Sequence, residues 1–494
     1  MRIAPLWLLV TLQATVSAAS LVVEIVAGRM LAPYVGMSLY TWTSVIAVVL
    51  AGFSVGHWWG GRLAERPVPR ALTATGWALL AAAATTALAG LALRAAAGPV
   101  LTALPHPVGG ITALTLAAFF LPSVFAGIPA PVLTQVSLIG TERQGHALGA
   151  MFAAGAVGAI FGTLLAGFVF ISWLGSVWTL AVVTAVYLAG AALCLVLARR
   201  FGAVQATTLA GIAALALYAA TSPGPCTIES RYFCLKTVDV SADPARPTRA
   251  MVIDHMVHGI SAEDAPEVMF TDHAAMLDAL ARLRAPDTAF SSFLIGGGNY
   301  ALPRAFASRG QTAITVAEID PAVTALAARD FWFDPQTAQV LHSDARRALR
   351  SDPTRYDIVV GDAFTDTAVP QHLVTREFFE LVRQRMTPQG SYLMNVIDYA
   401  DRMQAAGSLV ATLREVFPVV EVWTEARRPA PGERIVMILV AGQSETPTNS
   451  FTVPAPERTT FAALGPAFVD QLADIGTLLT DDYAPIDRLV GPRD

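Results

Sequence analysis

The sequence predicts an α-helical membrane domain followed by an α/β domain with a mostly parallel, doubly wound sheet. Hydrophobic residues make up 54% of the 494-residue chain and charged residues only 14%, against about 25% charged residues in soluble proteins. The charged residues concentrate after residue 222. In that second part, short apolar runs alternate with helical patterns, which is typical of strands joined by crossover helices.

The first part contains seven apolar segments that are long enough to cross the hydrocarbon core as helices. The fourth segment contains Pro122, Pro129 and Pro131, which predict a kink or a break. Small residues four positions apart in the fifth segment, such as Gly158 and Gly162, predict close helix packing. The predicted spans are residues 5–28, 38–60, 71–93, 110–138, 146–171, 175–198 and 203–221.

Composition and strand patterns divide the remainder of the chain. Residues 1–222 form the predicted transmembrane domain, and residues 223–264 form a linker and a small β subdomain with short strands. Residues 265–494 form the predicted nucleotide-binding α/β domain. The formal net charge of −5 gives no basic footprint for nucleic acid, so no nucleic-acid partner is expected.

The lipid bilayer is the expected partner of the first domain. The charges of its loops predict how the chain is oriented in that bilayer. The positive-inside rule places arginine-bearing loops in the cytoplasm, and seven spans then put the C-terminal domain outside the cytoplasm of a bacterial inner membrane. A disulfide between Cys226 and Cys234 would fit an oxidising compartment, whereas two free thiols would fit the cytoplasm. The arginines in alternate loops are Arg62, Arg66, Arg70, Arg143, Arg199 and Arg200.

Three ionisable residues lie within or beside the predicted spans. Glu24 lies in the first span, Arg29 follows it by about one turn, and His57 lies in the second span. Because such groups are costly in hydrocarbon, they face a partner or a cavity. They therefore form either structural polar contacts or a site for an amphiphilic or charged substrate.

A glycine run followed by acidic residues predicts a nucleotide site in the α/β domain. Gly296, Gly297 and Gly298 follow a short apolar strand and allow a ligand to approach the backbone closely. The acidic residues Glu318, Asp320, Asp344 and Asp362 follow the next three predicted strands. Each of these carboxylates alone could be a helix N-cap, but together they fall at the sheet edge where such folds bind ligands.

From about residue 229 to 490 the chain resembles the spermidine synthase (polyamine aminopropyltransferase) family, whose nucleotide half resembles class I methyltransferases. The membrane half resembles bacterial proteins in which helices are fused to a spermidine synthase-like domain. The matching stretches include "LIGGG", "VAEIDPAV", "RYDIVVGDAF", "LLTDDYAPID" and, in the membrane half, "EIVAGRMLAPYVG". The expected fold is thus a Rossmann-like domain of the methyltransferase and spermidine synthase type behind a membrane domain.

The resemblance implies a chemistry and assigns residues to it. The donor would be decarboxylated S-adenosylmethionine, with intact S-adenosylmethionine as the alternative, and an amine would displace methylthioadenosine. Glu318 and Asp320 would bind the ribose, Asp344 the adenine, and Asp362 would be the catalytic carboxylate. The glycines and Asn299 would contact the donor, although the family has an Asp where Asn299 stands.

The resemblance also implies acceptor-binding residues. Asp366 would bind the acceptor, although it stands one residue later than the family's second Asp and lacks the proline that follows it. Asp254, His258 and His273 precede the glycine run, where the family places residues that cover donor and acceptor. The histidines have no metal-ligand spacing, and no metal is expected.

Three functions follow from these observations. The first is a membrane-integrated aminopropyltransferase-like enzyme that acts on a small-molecule amine, and the second is a methyltransferase acting on a membrane-associated or exported acceptor. The third is a transporter or sensor whose nucleotide domain binds a ligand without catalysis. Soluble members of the family commonly form dimers, so a homodimer is one expectation. Because S-adenosyl donors are made in the cytoplasm, the chemistry favours a cytoplasmic domain while the loop charges favour an external one.

Overall fold

The computed structural model of the chain describes residues 4–104, 106–139, 141–364 and 368–490. Internal contacts divide the chain into two compact units, Met1–Cys234 and Leu235–Asp494. The domain boundaries that composition predicts at residues 222 and 264 stay predictions.

Within the described residues, the first unit contains seven helices that are long and apolar enough to cross a membrane, which is the number that the sequence predicts. Their apolar composition explains their form, because a backbone in hydrocarbon must satisfy its own hydrogen bonds. They are Leu6–Val35, Leu39–Ala64, Val68–Ala103, Pro107–Leu138, Gln144–Trp173, Gly175–Leu197 and Ala203–Thr221.

The fourth span is irregular, as its prolines predict. A π-helical turn, Leu116–Phe120, interrupts the α-helix, and the α-helical segment Leu121–Gly127 is followed by a new helix that begins at Pro129. Proline lacks the N–H that would continue the hydrogen-bond pattern, so the break lies where Pro129 and Pro131 follow each other closely.

Small residues bring the first and fifth spans into close contact. A Cβ added at Gly158 would lie 2.1 Å from the carbonyl oxygen of Ala14, and one added at Gly162 would lie 2.2 Å from that of Ala18. A Cβ added at Gly149 would meet nothing within 4 Å. The four-residue spacing therefore serves helix packing at Gly158 and Gly162, whereas Gly149 takes no part in it.

The second unit contains an antiparallel meander and a nine-stranded sheet. In the meander, β2 pairs with β3 and β3 with β4. The strands of the chain are β1 Ile228–Glu229, β2 Cys234–Asp239, β3 Thr248–Ile253, β4 Met256–Ala262, β5 Ser292–Ile295, β6 Ile314–Ala317, β7 Gln339–Leu341, β8 Tyr356–Gly361, β9 Met386–Tyr399, β10 Val419–Glu425, β11 Arg434–Gly442, β12 Ser450–Val453 and β13 Thr459–Ala463.

The helices of the second unit alternate with these strands over most of its length, as expected for a doubly wound sheet. They are α1 Asp272–Arg284, α2 Ala301–Ser308, α3 Pro321–Asp330, α4 Ala345–Ser351, α5 Arg376–Gln384, α6 Gln404–Arg414, α7 Pro466–Ile475 and α8 Ile486–Val490.

The nine-stranded sheet has the order β12-β13-β10-β11-β9-β8-β5-β6-β7. Strands β9, β8, β5, β6 and β7 pair parallel with one another. Strand β11 pairs antiparallel with β9, and β10 to β13 also pair antiparallel. Every residue of β5 and β6 is buried, which is why these strands read as unbroken apolar runs. The predicted α/β class is confirmed, and the antiparallel half adds strands beyond those predicted.

The order of the parallel strands reverses at β5. Chain order runs from β5 through β6 to β7 on one side, and β8 and β9 lie on the other side. A crevice forms outside the carboxyl ends of the strands at such a reversal, and ligands of open α/β sheets bind there. The fold thus selects the loops after β5 and β8 as the place to look for a site.

Candidate functional site

A cavity lies at the carboxyl ends of β5 and β8, where the strand order reverses. It encloses about 370 Å³, including space open to solvent. Its apolar lining includes Leu294 from β5 and Val360 from β8. Backbone and polar side chains form the other part of the lining. The lining residues predicted from the sequence are His258, His273, Gly296, Gly297, Gly298, Asn299 and Asp362.

The glycine loop after β5 lies against the backbone of the loop after β8. Gly296 has φ +90°, and a Cβ added there would lie 2.4 Å from the carbonyl oxygen of Asp362. A Cβ at Gly297 would lie 2.3 Å from the ring of Tyr300. Any side chain at Gly296 would therefore separate the two loops that form the cavity.

Glu318, which follows β6, anchors the glycine loop. It is 6% exposed, and its carboxylate accepts hydrogen bonds from the backbone N–H of Gly297 at 2.8 Å and of Asp320 at 2.9 Å. Burial raises the pKa of Glu318, and the two backbone hydrogen bonds oppose that shift. Glu318 does not itself line the cavity, so its role in ligand binding stays a prediction.

Asp320 and Asp344 begin helices at the same edge of the sheet but do not line the cavity. Asp320 caps α3 by accepting the N–H of Ala322 at 3.0 Å. Asp344 caps α4 by accepting the N–H of Arg347 at 2.9 Å, and its other oxygen lies 2.6 Å from Nε2 of His372. Their ligand-binding roles stay predictions, and their capping role is the alternative that the sequence also allowed.

Asp362 has a buried amide partner that sequence reasoning missed. Nδ2 of Asn395, on the neighbouring strand β9, donates to Oδ1 of Asp362 at 2.8 Å. Asn395 is 3% exposed, and among the described residues its own Oδ1 has no hydrogen-bond partner. Asn395 itself does not line the cavity, so its contribution is to hold the Asp362 side chain that does. The signal was a lone amide within the apolar stretch "LMNVI".

His258 and His273 both line the cavity. Burial lowers the pKa of His258 to about 4, Asp362 opposes that shift, and the neighbouring His273 and His255 add to it. His258 is therefore neutral at pH 7, and it can donate or accept a hydrogen bond without adding charge. Asp254 lies in the turn between β3 and β4 with φ +53° and does not line the cavity.

Asn299 lines the cavity and forms a hydrogen bond with the meander. It is 5% exposed, and its Nδ2 donates to Oγ of Ser261 in β4 at 2.9 Å. A Cβ added at Gly259 would lie 2.2 Å from its Oδ1. Asp366, the predicted acceptor residue, lies outside the described residues. Among the residues that the structure describes, no three His, Cys, Asp or Glu side chains are grouped so that they could hold a metal ion.

The ionisable residues of the spans do not form one group. Glu24 is half-buried in the first span, and His57 is exposed on the second, where its ring stacks on Phe53 with centroids 6.3 Å apart. Among the described residues, the carboxylate partner of Arg29 is Glu229, at 3.8 Å, rather than Glu24.

The structure joins Cys226 and Cys234 by a disulfide, with Cα atoms 5.2 Å apart. This is the pairing that the spacing of the two cysteines left open. The third cysteine, Cys194, is buried and free.

Comparison with known proteins identifies the class. No protein-family model matches the chain. Over 210 residues it is 26% identical to a polyamine aminopropyltransferase of Vibrio vulnificus, a match that covers 40% of this chain and 68% of that protein. Over 361 residues it is 28% identical to polyamine aminopropyltransferase 2 of Streptomyces coelicolor, covering 65% of this chain and 62% of that protein.

A solved structure gives a further likeness. The crystal structure of a probable spermidine synthase from Corynebacterium glutamicum matches 51% of this chain and 95% of its own, with 20% identity and a TM-score of 0.45. The relatives make this chain spermidine synthase-like, as the sequence motifs indicated. The Streptomyces match covers more of the chain than the second unit contains, so the similarity extends into the first unit.

Proposed function

We propose that this chain is a membrane-integrated transferase that binds an S-adenosyl-type sulfonium donor in the cavity between β5 and β8 and transfers an aminopropyl group to an amine. The observation that carries the proposal is Asp362, which lines the cavity together with the glycine loop at the strand reversal and accepts a hydrogen bond from the buried Asn395. The names of the relatives, which are polyamine aminopropyltransferases, support the same class of reaction.

The residues around the cavity fit such a donor. The glycine loop offers bare backbone for close approach. Glu318, which is held beside that loop by its bond to Gly297, would accept hydrogen bonds from ribose hydroxyl groups. Asp344 follows β7 and would meet the adenine edge. The donor supplies an electrophilic methylene carbon beside a sulfonium sulfur and leaves as neutral methylthioadenosine.

Asp362 performs the acid–base step in this proposal. An amine must lose a proton to attack carbon, and a carboxylate within hydrogen-bond reach assists by accepting that proton. Asn395 holds Oδ1 of Asp362 at 2.8 Å, so Oδ2 is the atom that receives the proton. By holding the Asp362 carboxylate in one orientation, Asn395 aligns it with the amine, which contributes to rate through orientation.

A methyltransferase is the second candidate, and Asn299 favours it. In the aminopropyltransferase pattern a carboxylate at this place binds the amino group of the donor. Here an amide replaces it, and that amide already donates to Ser261. A donor that depends less on this carboxylate, such as intact S-adenosylmethionine, is consistent with the change.

The test is calorimetric titration of the full-length protein in detergent with S-adenosylmethionine, its decarboxylated form and methylthioadenosine. Asp344→Asn keeps a capping side chain and should weaken binding. Asp334→Asn is the matched control, because Asp334 also caps a helix, by accepting the N–H of Gln336 at 2.9 Å, just before β7. Absence of binding of all three ligands would refute both enzyme proposals.

Product analysis separates the two reactions. Amine-dependent release of methylthioadenosine from the decarboxylated donor supports aminopropyl transfer. Release of S-adenosylhomocysteine from S-adenosylmethionine supports methyl transfer instead. Binding without either product would support a sensor.

We further propose that the second unit lies outside the cytoplasm. Seven spans and the loop arginines support this side, and a disulfide at Cys226 and Cys234 fits an oxidising compartment. Protease digestion of intact spheroplasts tests it, because an external second unit is cleaved without lysis. Protection until lysis would place the unit in the cytoplasm, beside the pool of S-adenosyl donors.

A further inference from the structure

A second cavity lies within the first unit, separate from the nucleotide cavity. It encloses about 670 Å³, including open space, among the ends of the first, sixth and seventh spans, the C-terminal half of the third span and the segment after residue 223. Its walls are mostly small and aliphatic side chains, such as Gly90, Leu180 and Ala181. Arg29, Arg94 and Glu229 also line it. We call it the span-end cavity.

Arg29 is held rigidly in the wall of the span-end cavity. It is 9% exposed, and its guanidinium donates to the carbonyl oxygens of Tyr232 and Ser230, the second at 2.8 Å. Its Nε is buried and has no hydrogen-bond partner among the described residues. The nearest carboxylate oxygen, on Glu229, is 3.8 Å from that Nε, which is too far for a hydrogen bond. Arg29 therefore contributes a fixed positive charge to the wall of the cavity.

The carboxylate of Glu229 already accepts hydrogen bonds from the protein. Both of its carboxylate oxygens accept the backbone N–H of Ser176 at 3.0 Å, and one also accepts the Ser176 hydroxyl. These bonds place Glu229 at the N-terminus of the sixth span, where a negative charge is stabilised by the helix dipole. This carboxylate thus balances a helix end and, at 3.8 Å, only partly balances Arg29.

Arg94 adds a second positive charge to the same cavity. One nitrogen of its guanidinium donates to the carbonyl oxygen of Pro223. No carboxylate of the described residues forms a salt bridge with it. Two guanidinium groups and one engaged carboxylate leave a net positive charge facing aliphatic walls.

We infer that the span-end cavity binds an amphiphile with a single anionic head, a carboxylate or a phosphate, and an apolar chain. The head accepts hydrogen bonds from the guanidinium of Arg94, since charged donors bind such oxygens strongly, and the fixed charge of Arg29 attracts it. The chain lies along the aliphatic walls, where burial of apolar surface is favourable. Polyamines are excluded from this cavity, because its surplus charge has their sign. This inference is independent of the transferase proposal.

The test measures binding of a fluorescent fatty acid, 11-(dansylamino)undecanoic acid, to the full-length protein in a non-ionic detergent. Dodecanoate and dodecyl phosphate should displace the saturable fraction of the probe. Dodecylamine, spermidine and inorganic phosphate should not. Displacement by inorganic phosphate as effective as that by dodecyl phosphate would show a site for a free anion and overturn the amphiphile, and displacement by dodecylamine would overturn the role of charge.

Substitutions in the span-end cavity test whether the probe binds there. Arg94→Gln should weaken the probe about tenfold or more, because a charge-assisted hydrogen bond is lost. Ala181→Phe fills the wall without changing charge and should also weaken it. Arg62→Gln is the matched control, since Arg62 lies at the end of the second span, with its guanidinium 3.9 Å from the ring centre of Trp58, and does not line the cavity. Equal affinity of wild type, Arg94→Gln and Ala181→Phe would refute the inference.

Discussion

Replacing Gly296 by alanine tests the contact that shapes the cavity at the carboxyl ends of β5 and β8. Gly296 has φ +90°, and the new Cβ would lie 2.4 Å from the carbonyl oxygen of Asp362. Gly310 supplies a control with nearly the same backbone conformation, φ +87°, but with nothing within 4 Å of an added Cβ. Comparing Gly296→Ala with Gly310→Ala therefore separates the strain of the backbone from the collision.

The magnitudes follow from these two environments. A non-glycine residue at positive φ costs about 1–2 kcal/mol, and both variants lose this much free energy of unfolding. Only Gly296→Ala must also move backbone, because real Cβ atoms essentially never approach closer than 3.0 Å. The neighbouring hydrogen bond from Asp362 N–H to the carbonyl oxygen of Ile295, at 3.0 Å, moves with it. If Asp362 is the catalytic carboxylate that we propose, a displacement of this kind costs up to about 100-fold in rate.

Calorimetric binding of methylthioadenosine to the full-length variants is the assay, with amide hydrogen exchange of β5 and β8 as the measure of local stability. We expect Gly310→Ala to bind as wild type does. We expect Gly296→Ala to bind at least about tenfold more weakly, with faster exchange confined to these strands. If both variants bound equally well, the loops after β5 and β8 would not form the ligand site.

Three further changes test the chemistry of the same cavity. Asp362→Asn should leave the affinity for methylthioadenosine unchanged. It should lower the transfer rate by about 10²–10⁴-fold, which is the usual contribution of a positioned base. An unchanged rate would contradict the proposed role of Asp362. Asn395→Ala should lower kcat about tenfold through loss of orientation while donor KM stays constant, whereas an equal rise in donor KM would indicate a role in donor binding. His258 has a pKa of about 4, below its ordinary value near 6.5, so the unfolded chain binds more protons between these values and stability falls as pH decreases from about 6.5 to 4. Chemical denaturation measures the free energy of unfolding at these pH values. Between pH 6.5 and 4, His258→Gln should lose about 3 kcal/mol less of this free energy than the wild type. Identical pH profiles of the two proteins would contradict the burial of the neutral ring.

The sequence predicted the parts of this protein that depend on local patterns. Uninterrupted apolar runs gave the seven spans, because a helix in hydrocarbon needs a continuous apolar surface. Short apolar strands alternating with helical patterns predicted the parallel half of the sheet. The glycine run predicted the loop after β5. The prolines of the fourth span predicted a kink or a break, and the structure places it at Pro129. Each of these signals lies within one segment of the chain and can be recognised without its neighbours.

Acidic residues at strand ends were predicted as a group but not distinguished from one another. A carboxylate that caps a helix and one that faces a ligand occupy the same sequence position, directly after a strand. Only the folded chain shows that Asp362 lines the cavity, that Glu318 anchors the glycine loop, and that Asp320 and Asp344 cap helices.

Long-range partners were decided by the tertiary structure alone. Asn395 meets Asp362 because β8 and β9 are neighbours in the sheet, although 33 residues separate them in the chain. Arg29 meets Glu229 rather than Glu24, across 200 residues of sequence. Hydrophobic periodicity fixes which face of an element is buried but carries no information about which element covers it. The sequence therefore determined the class of this protein, and the packing of its elements determined which side chains meet in its two cavities.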